Sequence, residues 1–220
     1  MYPYMVDPRG EGSYDEAFDA SRARLAALTV EQIQEKTLCP FSKTTNTFSL
    51  GSFGQKLEIL YPEGKIYFAG HPECQPLLWW ALIALNYLSA AKKVPLTYNW
   101  VSYKDLPDGR VFFPNIKKTV LEPLSSLYGA CEKTIFLTAV QQLGFSIVDG
   151  KADLTLHGWF APRIPILAQF WNEDEELPSS CQILFDSSIA EQMHIEDSAA
   201  LCNAIADLIM GQYKYCLSKL

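Results

Sequence analysis

Residues 153–186 read DLTLHGWFAPRIPILAQFWNEDEELPSSCQILFD. Asp153 to His157 and Ile164 to Trp171 alternate in the manner of paired strands, and Gln182 to Phe185 reads as a further strand. Strands this close in sequence pair antiparallel, because a parallel neighbour needs a crossover of a dozen residues or more. The stretch therefore places an antiparallel sheet in the second half of the chain. It also concentrates the residues that stand out from generic globular protein: Arg163 between prolines at 162 and 165, Trp159 and Trp171, and four consecutive acids, Glu173-Asp-Glu-Glu176.

Working outward, the clearest helix is QPLLWWALIALNYLSAA, residues 75–91, with Pro76 suited to a first turn. It is apolar almost all round, which predicts a central buried helix with Trp79, Trp80 and Tyr87 as core pieces. Lys56 to Tyr61 and Lys65 to Ala69 flank Pro62-Glu-Gly64 as a hairpin. Ser13-x-x-Glu16 and Thr29-x-x-Gln32 are capping boxes, opening one helix that buries Phe18, Leu25 and Leu28 and a second that runs to Lys36. Leu38 to Ser52 is polar and reads as a loop. Leu106-Pro-Asp-Gly109 reads as a turn, with two shorter helices near 118–128 and 130–143 capped by Gly129 and Gly144. A last helix at about 197–217 lines up Cys202, Ile205, Ile209 and Cys216. The expected class is α+β: a mostly antiparallel sheet packed with helices, comprising a tail over 1–13 and a single domain over 14–220.

At 220 residues, with 49% hydrophobic and 13% aromatic residues, the chain can bury a sizeable core. A net charge of −7 and no basic stretch beyond Lys117-Lys118 argue against nucleic acid as partner. The longest apolar run, Leu77 to Leu85, is nine residues, against roughly 20 for a membrane span. The N-terminus lacks a basic start followed by an apolar core, so a soluble cytoplasmic protein is expected. The six cysteines form no C-x-x-C pair, which predicts free thiols in a reducing compartment and no iron–sulfur cluster, zinc site or other cofactor.

No catalytic motif emerges. There is no G-x-S-x-G, and Gly51-Ser-Phe-Gly54 is too short for a phosphate-binding loop. His71, Cys74, Cys39 and His157 have no spacing that requires a metal. Two flanking prolines would aim Arg163 from a stiff support, either at a ligand or at a nearby acid, Asp153, Asp174 or Asp186. The acidic turn reads as a solvated connection or as a patch for protein docking. Two functions follow. One is a binding or accessory domain using Arg163 and Glu173, Asp174, Glu175 and Glu176, with Trp159 and Trp171 as flat apolar surface. The other is an enzyme acting on a small anion in a pocket around Arg163, His157 and Asp186.

Several segments follow a common pattern: Tyr14-Asp-Glu-Ala-Phe18, Pro62-Glu-Gly64, Leu88-Ser with Val94-Pro-Leu-Thr97, and Trp100-Val-Ser-Tyr-Lys-Asp-Leu-Pro-Asp-Gly109. Leu143-Gly144, Asp153, Pro162-Arg-Ile-Pro165, Phe170-Trp-Asn-Glu-Asp-Glu-Glu176, Leu184-Phe-Asp186 and Ile195-Glu-Asp197 continue it. From residue 14 to 210 the chain resembles an uncharacterised domain family of anaerobic bacteria and methanogenic archaea. Some members carry a four-cysteine iron–sulfur module at the N-terminus, whose cysteines this sequence lacks. The resemblance implies a partner of redox or corrinoid type and carries over no catalytic residue.

Overall fold

The structure is a computed structural model that describes residues 1–7 and 15–220. Ser13 and Tyr14, and with them the first expected capping box, lie outside the described residues. In chain order the elements are α1 (Asp15–Ala26), α2 (Val30–Thr37), β1 (Phe41–Ser42), β2 (Thr47–Ser52), β3 (Gln55–Leu60), β4 (Ile66–Phe68) and α3 (Leu78–Ala90). They continue with β5 (Trp100–Ser102), α4 (Gly109–Ile116), α5 (Glu122–Ala130), α6 (Lys133–Gln142), β6 (Ser146–Val148), β7 (Leu154–Ala161), β8 (Ile164–Trp171), β9 (Ser180–Asp186), α7 (Ile189–Gln192) and α8 (Ile195–Leu217). The class is α+β as expected, with two antiparallel sheets rather than one: β1-β2-β3-β4 and β5-β9-β8-β7-β6.

α3 is the centre. Trp80, Ile83, Ala84, Leu85, Tyr87 and Leu88 are all at most 1% exposed, so the helix is wrapped on most sides. Trp80 meets Phe53 and Phe68 of the first sheet edge-on, at 5.7 and 5.8 Å, and its Nε1 donates to Ser52 Oγ at 2.9 Å. Tyr87 packs edge-on against Phe160 of β7, and its hydroxyl donates to the Thr37 carbonyl at 2.8 Å. A polar break, Asn86, ties three helices together: it accepts from Ser21 and Arg24 of α1 and donates to Asp197 of α8. Pro76 precedes α3 rather than entering its first turn; it is bridged to Val6, and Met5 beside that bridge is fully buried.

The capping box at Thr29 is present, with both reciprocal hydrogen bonds, and α2 ends one residue beyond the expected limit. The hairpin around Pro62-Glu-Gly64 forms as β3–β4. Leu38 to Ser52 is not a loop. It carries β1 and β2, because Phe48 and Leu50 alternate with polar residues and pair with Ile59 and Leu57. Gly51 to Gly54 closes the β2–β3 hairpin, where Phe53 and Gly54 both take positive φ, 48° and 70°. At Gly54 the backbone passes so close to Gly144 that a Cβ on either would lie within 3 Å of the other's backbone. The Phe53 amide donates to the Trp159 carbonyl at 3.0 Å, which joins the hairpin of the first sheet to β7 of the second.

Three helix boundaries differ from expectation. α4 begins at Gly109, well before residue 118, and runs through a π-helical turn, Lys117–Leu121, into α5. Gly129 is inside α5, where a Cβ would strike Ser179; it is a close approach, not a cap. α6 starts at Lys133 because the Glu132 carboxylate caps it, accepting from the Thr134 and Ile135 amides. Among the described residues, no helix is long and apolar enough to cross a membrane.

Leu82, mid-way along the helix expected to be buried on most sides, is only partly buried and packs at the margin of the core, whereas Ile83 is fully buried. Ile83→Ala should therefore cost about 2–5 kcal/mol in denaturant unfolding, and Leu82→Ala about half as much or less. Equal losses would contradict this placement of the helix.

Candidate functional site

Along the middle of β7, β8 and β9 buried and more exposed residues alternate, so one face of the second sheet holds the core and the other looks outward. Leu156, Ala168, Ile183 and Phe185 point inward and are buried. On the outer face His157, Leu167, Leu184 and Ser102 form one cross-strand row by register. In the adjacent row Trp159 stands opposite Pro165, and Trp100 opposite Asp186. A register shift between Trp159 and Ala161, a β-bulge, interrupts the pairing beside Trp159. The His157 ring sits edge-on between the two indoles, 5.2 Å from Trp159 and 6.1 Å from Trp100. Trp159 is 40% exposed. Burial lowers the His157 pKa below its usual value, so the ring is neutral at neutral pH.

Asp186 ends β9 and is 1% exposed. Its carboxylate accepts from the Thr97 amide and hydroxyl, the Tyr98 amide at 2.6 Å and the Ser188 amide at 2.9 Å. Burial alone would raise this carboxyl; the bonds from Ser188 and Thr97 outweigh it and hold it below the ordinary range. The clasp has a conformational effect. Tyr98 takes φ 56°, a region costing a non-glycine residue about 1–3 kcal/mol, and the residue is 77% exposed, two positions before Trp100 in the chain. Charge-assisted bonds of this kind are strong enough to offset that strain. Asp186 is thus the anchor of an exposed aromatic loop.

Among the described residues, Arg163 forms no pair with an acid. At the two-residue β7–β8 turn its Nε donates to the Lys36 carbonyl at 2.6 Å, Nη1 to Val94 at 2.9 Å and Nη2 to Glu35 at 3.3 Å. The physical reason is α2, whose last carbonyls lack helical partners and carry the negative end of the dipole. The acids expected to meet Arg163 bond locally instead. Asp153 accepts from the Asn172 amide, and Asp174 from the Glu176 and Leu177 amides, which lower its pKa. Glu173, Glu175 and Glu176 are exposed around it. Trp171, half-buried, opens this acidic turn six residues along β8 from Pro165, so it lies about 20 Å from the Trp159 row.

The structure thus brings Trp159 and His157 together, with Asp186 holding the loop beside them. It separates them from Arg163, which sits on the turn, and from Trp171 and the acidic turn, at the far end of the sheet. Arg163, His157 and Asp186 are engaged by different partners. Sequence reading missed Trp100 and Tyr98; the available signal was the extended PLTYNWVSY stretch, whose link to Asp186 is long-range. Among the described residues no group of three or more His, Cys, Asp or Glu side chains is placed to hold a metal ion.

Asp186→Asn replaces an acceptor with a group that also donates, facing several backbone amides. It should cost about 1–3 kcal/mol. Because the native carboxyl is depressed, its contribution is present above the ordinary carboxylate range and is lost as pH falls through the native value. The variant should therefore show a flatter acid limb in its stability profile; an unchanged limb would contradict the clasp.

Comparison with curated proteins and with solved structures gives no match. A family model, described as a domain of unknown function (DUF3786), matches residues 29–208, which include both sheets and all but the end of α8. The chain belongs to the DUF3786 family.

Proposed function

We propose that this chain is a non-catalytic docking domain that binds a partner protein through the outer face of its second sheet. The observation that carries this reading is the aromatic group of exposed Tyr98 and Trp159 with half-buried Trp100 and His157, held on paired strands and on the Asp186 clasp. Trp and Tyr are the residues in which interface energy concentrates, and a rigid support reduces the ordering cost of association. The acidic turn, Glu173 to Glu176, lies at the other end of the same sheet and would steer a basic partner. The net charge of −7 supports a protein over a polyanion as that partner.

The rival, an enzyme acting on a small anion, draws less support, because Arg163 and Asp186 already spend their charges on backbone groups. Six free thiols support a reducing, cytoplasmic setting. One apolar core that runs through both sheets supports residues 14–220 acting as one unit. The partner class proposed is a redox or corrinoid protein of an anaerobe, from the resemblance of the sequence.

Affinity capture from the native host under anaerobic conditions, with mass spectrometry and metal analysis, tests this. Wild-type protein should retain a discrete partner, and Trp159→Ala should reduce its recovery by about tenfold or more. Neutralising the acidic turn should weaken the salt dependence of binding. Equal recovery with Trp159→Ala, or no partner, would refute the reading.

A further inference from the structure

Away from the aromatic face, a hollow of about 280 Å³ opens between β9, the helical run through α4 and α5, and α8. Two departures from regular structure border it. β5 stops at Ser102 and the chain turns away in a 3-10 turn, so, among the described residues, Ser180 to Gln182 of β9 have no strand partner on that side. Opposite, the helical run widens into its π-helical turn at Lys117–Leu121, between Pro114 and Pro123. Single π turns of this kind recur at functional sites.

The polar groups of the wall are largely consumed. The Cys181 thiol and the Ser125 hydroxyl both donate to the Leu121 carbonyl, and Ser102 donates to Asp105. What faces the space is apolar, from Phe113, Ile116, Leu121, Trp171 and Ile183. At the rim stands Lys104. Its ammonium lies 6.0 Å from the Phe113 ring centre and, among the described residues, pairs with no carboxylate. The half-exposed Gln182 amide lies on the same rim.

We infer that this hollow is a binding site for a small organic carboxylate whose apolar body is about the size of one aromatic ring. Size and charge both select it. An apolar cavity of about 150 Å³ accepts benzene, so the space here takes a ring with a short acidic arm. The cation at the mouth complements the acid, and the mainly apolar lining favours an apolar body. The site binds without reacting. Burial pushes the Cys181 thiol up to about 11 and raises Cys202 as well, so neither is a thiolate at neutral pH.

Fluorine NMR titration with 4-fluorophenylacetate, against 4-fluorophenethylamine as its cationic counterpart, tests the site. The acid should saturate at a dissociation constant of about 1 mM or below, with the amine about tenfold weaker or more. Lys104→Gln, at an exposed position, should erase that preference, and Gln182→Trp should block entry. Trp159→Ala should leave the titration unchanged, which separates this site from the docking face. Equal binding of acid and amine, binding unaltered by Gln182→Trp, or no saturation by about 10 mM would overturn the inference.

Discussion

Burial of α3 is the constraint on which the rest of the molecule depends. A helix that apolar has no stable surface orientation, so it must be covered on several sides at once. Two sheets supply the cover, through Phe53 and Phe68 from one and Phe160 from the other. Each polar atom that the helix takes inside finds a partner: Trp80 on Ser52, Tyr87 on Thr37, Asn86 on α1 and α8. These bonds make burial tolerable and also fix register, because a slipped helix would leave them unmade. The hairpin contact from Phe53 to Trp159 then couples the first sheet to the strand that bears the aromatic face.

The two most conspicuous charges of the second half of the chain, Arg163 and Asp186, both serve backbone. A buried or half-buried charge is costly unless hydrogen bonds replace its water, and unpaired carbonyls or amides are the nearest replacements. Arg163 gathers the end of α2 and the Val94 segment onto the β7–β8 turn. Asp186 gathers the Thr97–Tyr98 segment onto β9. Together they pin both ends of the stretch between Val94 and Tyr98. The loop that carries Tyr98 is thus held by side chains that bond to backbone.

Much of this was legible from local pattern. α3 follows from its apolar run, α2 from its capping box, β3–β4 and β7–β8 from alternation and turn residues, and α8 from periodicity. β2 was hidden because its alternation carries only two large apolar residues, Phe48 and Leu50, within a polar stretch, and β6 because all three of its residues are exposed. α4 was hidden by Pro114, which lies inside it. For the site, Trp159 and His157 stand two apart on one strand face, which the sequence reading missed because it ended that strand at His157. Tyr98 and Trp100 were not readable either, since their placement rests on bonds between residues 88 and 89 positions apart. Arg163 was readable as held, but its partners were not, because carbonyls have no signature in sequence.

Hydroxyl-radical footprinting, in cells of the native host and on the purified chain, tests the docking account most directly. Trp159 and Phe112 are nearly equal in exposure, 40% and 38%, so Phe112 on α4 is a matched control. The account predicts that Trp159 and Tyr98 are oxidised readily in the purified chain and are protected in the cell, while Phe112 is labelled alike in both. Equal labelling of Trp159 and Tyr98 in both settings would contradict it.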